Sequence, residues 1–223
     1  ASPDPSAPPS GLSRLLTWLG TRSPQEWVTF VVVAFATYFV FHQLNPDGLI
    51  FEDNVPTGGD MGAHVWGPAF LRDELLPHGQ LSGWTTDWYA GFPAYQFYFV
   101  VPALMIVALN VGLDPVPAAL SVLSAAAAVW LSYRQPRLAG MRPWIVAAAV
   151  LIVVLSVGMP YGVAFKLVAV SGVVALPFSA YLLGRFSGLA FPGPQVLALG
   201  SLFFVFDRSF NIYGGNAAST LAG

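Results

Sequence analysis

The residues with the clearest capacity for chemistry are Asp60 and His64, in the run Thr-Gly-Gly-Asp-Met-Gly-Ala-His at 57–64. Flanking glycines leave the carboxylate of Asp60 uncrowded, as a general base that must approach a bulky acceptor requires. Asp60 could equally cap a helix over the apolar stretch that follows. In that helix Asp60 and His64 would share one face, close enough to share a divalent metal or a proton. One such pair is a weak metal signature, so the metal is left open and no other cofactor is indicated.

This run lies in a polar segment, residues 45–96, which holds seven of the eleven acidic residues of the chain and many of its aromatic residues. Carboxylates beside exposed aromatic rings suit a sugar, because its hydroxyls need acceptors and its C–H faces stack on rings. The substrate contacts predicted in this segment are His64, Trp84, Asp87, Trp88, Tyr89 and Tyr95. Trp and Tyr are also enriched at membrane interfaces as anchors, which is the alternative interpretation of each ring.

The rest of the chain is strongly apolar, with 56% hydrophobic and 9% charged residues, whereas soluble domains carry about 25% charged residues. Several nearly uncharged runs reach the ~18 residues that a helix needs to cross a bilayer. The sequence therefore predicts an all-α, polytopic transmembrane helical bundle with a long extracytoplasmic first loop containing short interfacial helices. The net charge of -2 excludes the basic footprint of a nucleic-acid binder. The absence of Cys excludes disulfides and thiol chemistry.

The chain divides into a short N-terminus, residues 1–22, and the N-terminal part of a transmembrane domain, residues 23–223. The N-terminus is Pro/Ser-rich and predicted to be disordered, with either an interfacial helix or a linker at 11–20. Ser23 and Glu26 predict a capping box at the start of the first span, and the turn residues at 45–48 predict its end. Further apolar segments follow at 97–112, 116–133, 143–159, 163–183 and 196–206.

The orientation depends on whether the segment 97–112 crosses the membrane. It is short for a span and contains Pro102, so we expect it to be interfacial or re-entrant. The N-terminus and most basic residues then lie in the cytoplasm, as the positive-inside tendency requires, and the loop 45–96 lies outside. The residues assigned to the cytoplasm are Arg14, Arg22, Arg134, Arg137, Arg142 and Arg185. One lysine beside eight arginines, together with many Ala, Val, Gly and Pro, is typical of a GC-rich bacterial genome, so we expect the membrane to be the bacterial cytoplasmic membrane.

A resemblance to a known family appears in the loop. An acidic residue soon after the first span, a Trp-rich stretch ending in Gly-Phe-Pro at 91–93, and an aromatic, proline-bearing segment resemble the first external loop of C-type membrane glycosyltransferases. The runs 162–168, 176–185 and 211–216 are similar to a bacterial branch of these proteins labelled as related to 6-pyruvoyl-tetrahydropterin synthase. No residue here supports the chemistry of that soluble enzyme. The chain departs from simpler members by two extra apolar segments at 116–159.

The resemblance implies a sugar donor on a polyprenyl phosphate, a glycan or lipid acceptor outside the cytoplasm, inversion at the sugar, and Asp60 as general base. The leaving phosphate needs positive charge nearby. Lys166 is the preferred cation, with Arg72 and Arg208 as the others on the outer side. A lysine in a span is a functional hypothesis by default, although it could simply extend to the head groups.

Two other functions are compatible with the sequence. The chain could be a non-catalytic subunit or scaffold of a cell-envelope assembly complex. It could also be a transporter, which would need ionisable residues in the middle of the membrane, whereas the acidic residues here cluster in a loop.

Overall fold

The computed structural model describes residues 20–56, 61–88, 90–97 and 99–203. Several predictions fall outside these residues and are not addressed by the structure. They concern nearly all of the segment 11–20, the conformation and contacts of Asp60 and Tyr89, and the residues after 203, including Arg208.

The described residues are mainly helical, which confirms the all-α prediction. The helices are α1 (Pro24–Leu44), α2 (Met61–Phe70), α3 (Val100–Val111), α4 (Pro115–Arg134), α5 (Arg142–Val157), α6 (Tyr161–Val174), α7 (Leu176–Phe186) and α8 (Gly193–Gly200). A π-helical turn (Leu71–Leu75) continues α2, and 3-10 turns lie at Pro46–Phe51, Leu76–His78 and Pro136–Met141. Two three-residue strands, β1 (Gly83–Thr85) and β2 (Phe92–Ala94), pair antiparallel. This small β-hairpin was not predicted from the sequence.

Four helical stretches of the described chain are long and apolar enough to cross a membrane, so the chain is a helical membrane protein. They are Pro24–Leu44, Pro115–Arg134, Pro136–Val157 and Tyr161–Phe186. The segment 97–112 contains α3, whose 12 residues extend only about 18 Å, less than the ~30 Å of a hydrocarbon core. Pro102 does not interrupt α3, because it lies in the first turn, where a backbone N–H has no helical partner. The position of α3 relative to the membrane stays a prediction.

The first span begins and ends where its sequence predicts. The Ser23 N–H donates to Glu26 Oε2 over 2.8 Å and the Glu26 N–H donates to Ser23 Oγ over 3.2 Å, which is the reciprocal bonding of a capping box. At the other end, Asp47 and Gly48 adopt positive φ angles of 53° and 85°, so the helix cannot continue. Asn45 Oδ1 stabilises this turn by accepting a hydrogen bond from the Ile50 N–H at 2.9 Å.

The chain forms two compact units, of which the smaller comprises residues 1–42 and 173–210. Within its described part, α7 packs closely on α8 at Gly184, where an added Cβ would lie 2.8 Å from the Pro194 Cα. The Gln195 Nε2 donates to Thr29 Oγ1 over 2.5 Å, which ties α8 to α1. Glycine at 184 therefore permits the close approach of two helices, as is common in membrane proteins.

The larger unit comprises residues 43–172 and 211–223, and its described part contains the acidic loop. Leu71 and Leu75 of the π-helical turn form one apolar cluster with Ala103 and Val107 of α3. A second cluster joins α3 to α6 through buried side chains, and two residues of α2 pack against it. Its members are Ile106, Ala164 and Phe165, with Met61 and Val65 from α2. The helical part of the loop is therefore held against α3 and α6 by apolar packing rather than extended into solvent.

The helices α4 and α5 form an antiparallel hairpin whose two ends meet at Gly112 and Gly158. The Leu113 N–H donates to Ser156 O over 2.8 Å, and the Met159 N–H donates to Leu109 O over 2.9 Å. Gly112 and Gly158 have positive φ angles. A Cβ added to either glycine would lie within 3 Å of the backbone around the other. The start of α4 and the end of α5 therefore lie side by side. We call this point the base of the hairpin; it adjoins α3 and the loop.

Candidate substrate site on the acidic loop

Lys166 fixes the start of the loop to α6. Its side chain is 0% exposed, and its ammonium donates to Glu52 O over 2.7 Å, to Asn54 Oδ1 over 2.6 Å and to Leu49 O. A lysine ammonium has three N–H donors, so these three acceptors use all of them. In this structure Lys166 presents no donor to a phosphate. The structure thus gives a structural role to the residue preferred from the sequence as the phosphate-binding cation.

Gly162, one turn before Lys166 on α6, makes the close contact possible. An added Cβ at this glycine would collide with the Asn54 carbonyl oxygen and lie 2.9 Å from the Asn54 carbonyl carbon. The Gly162 N–H also donates to Asp53 Oδ1 over 3.2 Å. The segment 52–54 therefore packs against the first turn of α6. Backbone contact at Gly162, the Asp53 carboxylate and the Lys166 ammonium hold it there.

Arg72 projects from the π-helical turn into a polar cluster with residues of α3 and α6. Its Nη1 donates to Asn110 Oδ1 over 2.7 Å, and its Cζ lies 5.5 Å from the centroid of the Tyr161 ring. Asn110 Nδ2 donates in turn to Met159 O over 3.0 Å, which fixes the amide orientation. The Tyr161 hydroxyl donates to Val65 O. Arg72 thus connects the loop to the base of the α4–α5 hairpin.

The Arg72 side chain is 31% exposed and also pairs with Asp73, through Nε to Oδ1 at 2.6 Å and Nη2 to Oδ2 at 2.8 Å. This paired hydrogen bond lowers the pKa of Asp73 and raises the pKa of Arg72, so both groups stay charged. A guanidinium has five N–H donors. Contacts with the described residues use three of them, which leaves two for an anion.

Trp66, Asp87 and Trp88 come together at the surface of the loop. Trp66 Nε1 donates to Asp87 Oδ2 over 3.1 Å, and the Trp66 and Trp88 ring centroids are 6.2 Å apart. The Trp88 ring lies beside Gly62, near the start of α2 and two residues along the chain from Asp60. Asp87 is exposed and both indoles are half-buried. We call this group the indole patch; it places two half-buried indoles, one of them stacked on Phe70, beside an exposed carboxylate.

The other predicted contacts are dispersed. Trp84 is 68% exposed on β1 and lies over Gly91, where no Cβ could be accommodated. His64 is exposed on α2. Tyr95 is directed inwards, since a Cβ at Gly67 would lie 2.7 Å from its hydroxyl oxygen. That hydroxyl is buried without a hydrogen-bond partner among the described residues, and burial raises the pKa of Tyr95. Tyr95 therefore packs α2 against the β-hairpin as a neutral side chain.

A metal site is not formed by the described residues, because no three His, Asp or Glu side chains among them are grouped to bind one ion. The hypothesis that Asp60 and His64 share a metal includes a residue whose contacts are not described. It stays a prediction.

Three members of the site were not predicted from the sequence: Trp66, Asn110 and Tyr161. Asn110 had a detectable signal, because it is an isolated amide in an otherwise apolar segment. Tyr161 follows Pro160 at the start of α6, which gave no indication that its hydroxyl reaches α2. Trp66 is one of many aromatic residues in the loop, so composition alone does not distinguish it.

Comparison of the chain with protein-family models, curated proteins and solved structures found no match.

Proposed function

We propose that this chain belongs to a membrane glycosyltransferase that moves a sugar from a polyprenyl phosphate to a glycan or lipid acceptor outside the cytoplasm, with inversion. The observation that carries the proposal is the indole patch. Aromatic faces next to a carboxylate are suited to the C–H faces and hydroxyls of a sugar. The patch lies near the start of α2, two residues along the chain from Asp60. A membrane-embedded fold gives a lipid-linked donor access to it.

In the proposed reaction the carboxylate of Asp60 takes the proton of the acceptor hydroxyl. The hydroxyl oxygen forms a bond to the anomeric carbon from the face opposite the phosphate. The bond between that carbon and the phosphate oxygen breaks, and its electron pair leaves with the lipid phosphate. Arg72 supports this departure better than Lys166 does, because two N–H donors of Arg72 are left over by its contacts with the described residues.

The activity is tested with labelled sugar on polyprenyl phosphate and purified full-length protein in proteoliposomes. We expect wild type to release lipid phosphate and label an acceptor, and Arg72→Gln to lower kcat by about 100-fold, the effect of removing one donor from a developing anion. Arg185→Gln is the matched control, since Arg185 is an exposed arginine on α7. Equal activity of the Arg72 and Arg185 variants would remove Arg72 from the mechanism. No transfer by wild type would contradict the function itself.

We propose that the N-terminus is cytoplasmic and that the loop 45–96 lies outside a bacterial cytoplasmic membrane. The contacts at the base of the α4–α5 hairpin support this, because they place that base beside Arg72 of the loop. The 20 residues of α4 then carry Arg134 about 30 Å away, which suits a cytoplasmic position on the positive-inside tendency.

Cysteine labelling tests this orientation, since the chain has no native Cys. Gln80 and Gln135 are both exposed polar residues, one on the loop and one at the hairpin tip. In intact cells we expect an impermeant maleimide to label Gln80→Cys and to label Gln135→Cys only after permeabilisation. Labelling of both residues in intact cells would mean that α3 crosses the membrane or that the hairpin does not.

The non-catalytic subunit remains the second candidate, and one observation favours it. The only lysine of the chain, which the sequence offered for catalysis, is fully used in holding the loop to α6. A loop stabilised in this way could equally present a fixed surface to other envelope proteins.

A further inference from the structure

The tip of the α4–α5 hairpin concentrates positive charge that the proposed reaction does not use. Three of the nine basic residues of the chain, Arg134, Arg137 and Arg142, lie within nine positions. Between Pro115 and Val157 the sequence has no Asp or Glu, so the hairpin itself offers no neutralising carboxylate. Arg134 and Arg137 are exposed and Arg142 is half-buried.

Aromatic residues order two of these arginines. The Arg134 Cζ lies 5.0 Å from the Trp130 ring centroid, and the Arg142 Cζ lies 5.0 Å from the Tyr133 ring centroid. The Arg142 Nε also donates to Ser132 O over 2.9 Å. A guanidinium stacked on a ring keeps its N–H edges available for hydrogen bonds. Stacking thus reduces the side-chain freedom that these arginines would lose on binding an anion.

The tip differs from two other arginine positions in the described part of the chain, Arg22 and Arg72. Arg22 pairs with Glu26 and Arg72 pairs with Asp73. None of the three arginines at the tip forms an ion pair with a described carboxylate. Their charge is therefore available to a ligand, whereas Arg22 and Arg72 each already have a carboxylate partner.

The location of the tip indicates the kind of anion. Trp130, Tyr133 and Trp144 are exposed near the end of a hairpin long enough to cross the membrane, and Trp144 is 75% exposed. Trp and Tyr at the end of a span lie at the level of the lipid head groups. A phosphodiester at that level can accept paired N–H bonds from an arginine edge. Arginines close to anionic lipid gain roughly a factor of five in affinity for each charge.

We infer that the hairpin tip, formed by Arg134, Arg137 and Arg142 with Trp130, Tyr133 and Trp144, is a binding surface for anionic phospholipid head groups. The arginines contact the lipid phosphates, and the aromatic side chains keep the tip at the membrane surface. The surface would enrich anionic lipid around the hairpin, whichever reaction the loop carries out.

The test uses full-length protein in nanodiscs of phosphatidylglycerol and phosphatidylcholine, with the co-purifying lipid quantified after detergent extraction. We expect wild type to enrich phosphatidylglycerol over the bulk ratio and R134Q/R137Q to lower that preference by about 30-fold, the product of two charges. The matched control is R22Q/R185Q, which removes the same number of charges from positions outside the hairpin and should keep the preference within twofold of wild type. Size-exclusion profiles establish that each variant is folded.

A second variant separates charge from structure. R134K/R137K keeps both positive charges and should retain phosphatidylglycerol enrichment, even if the stacking on Trp130 is weakened. No enrichment by wild type would overturn the inference and leave the tip as a surface for an acidic protein. An equal loss in R22Q/R185Q would also overturn it, because the effect would then come from net charge rather than from the tip.

Discussion

Lys166→Met is expected to destabilise the protein more than any other single substitution of a charged residue in the described chain. Methionine fills a similar volume but donates no hydrogen bond. It leaves Glu52 O, Asn54 Oδ1 and Leu49 O, which are partly buried, without the charged donor that they share. Each lost hydrogen bond to a charged group costs about 1 kcal/mol or more, so we expect a loss of about 3 kcal/mol. Thermal unfolding in detergent should show a drop of several degrees or a failure to purify as a monodisperse species.

Two further variants locate the origin of that effect. Arg185→Met removes an exposed cation from the end of α7 and should unfold within about a degree of wild type, because surface substitutions usually change stability by under ~0.5 kcal/mol. Asn54→Ala removes one of the three acceptors and should fall between the two. If Lys166→Met unfolds like wild type but no longer binds the lipid-phosphate donor, Lys166 is a phosphate ligand and its structural role is wrong.

The local sequence around Lys166 predicts that this residue has a role, but it does not identify its hydrogen-bond partners. A lysine within an apolar segment predicts a functional role by default, here the phosphate-binding cation. Its partners lie far away in the chain, with Leu49 and Lys166 separated by 117 positions. Nothing in the spacing of either segment indicates that they meet. The same limit applies to Arg72 and Asn110, which are 38 positions apart.

Local sequence patterns were sufficient to predict the positions of the long helices. The capping box at Ser23 and the turn at Asn45 set both ends of α1, because each depends on residues within five positions of one another. The predicted segments 116–133 and 143–159 correspond to α4 and α5 within two residues at each end. The segment 163–183 is divided by a turn at Ala175 into α6 and α7, just before Leu176 and Pro177.

The β-hairpin was missed because its strands are only three residues long. Such strands are too short to show an alternating pattern of apolar and polar residues. Their pairing is accompanied by the Trp84 ring over Gly91 within the β-hairpin and by the Leu75 side chain against Gly83. The indole patch depends on the β-hairpin, which brings Asp87 and Trp88 back to α2. Composition therefore predicts aromatic and acidic residues in the loop, but not that these residues meet.

Asp60→Asn is expected to abolish sugar transfer while leaving the protein folded and able to bind its donor. An asparagine has nearly the same shape but cannot accept the proton of the attacking hydroxyl. Loss of a general base lowers kcat by about 100-fold to 10,000-fold. The measurement is transfer of labelled sugar from polyprenyl phosphate by purified protein in proteoliposomes, with donor KM determined separately. We expect KM for the donor to change little, because Asp60 is proposed to act on the acceptor hydroxyl.

Asp47→Asn provides a matched control in the same loop. Asp47 has a φ of 53° in the turn after α1, a conformation that asparagine tolerates as well as aspartate does. The control therefore makes the same chemical change at another acidic position without disturbing the backbone, and it should transfer sugar at the wild-type rate. Equal loss in both variants would trace the effect to loop charge rather than to a base. Full activity in Asp60→Asn would remove Asp60 from that role, even if the wild-type protein proves to be a glycosyltransferase.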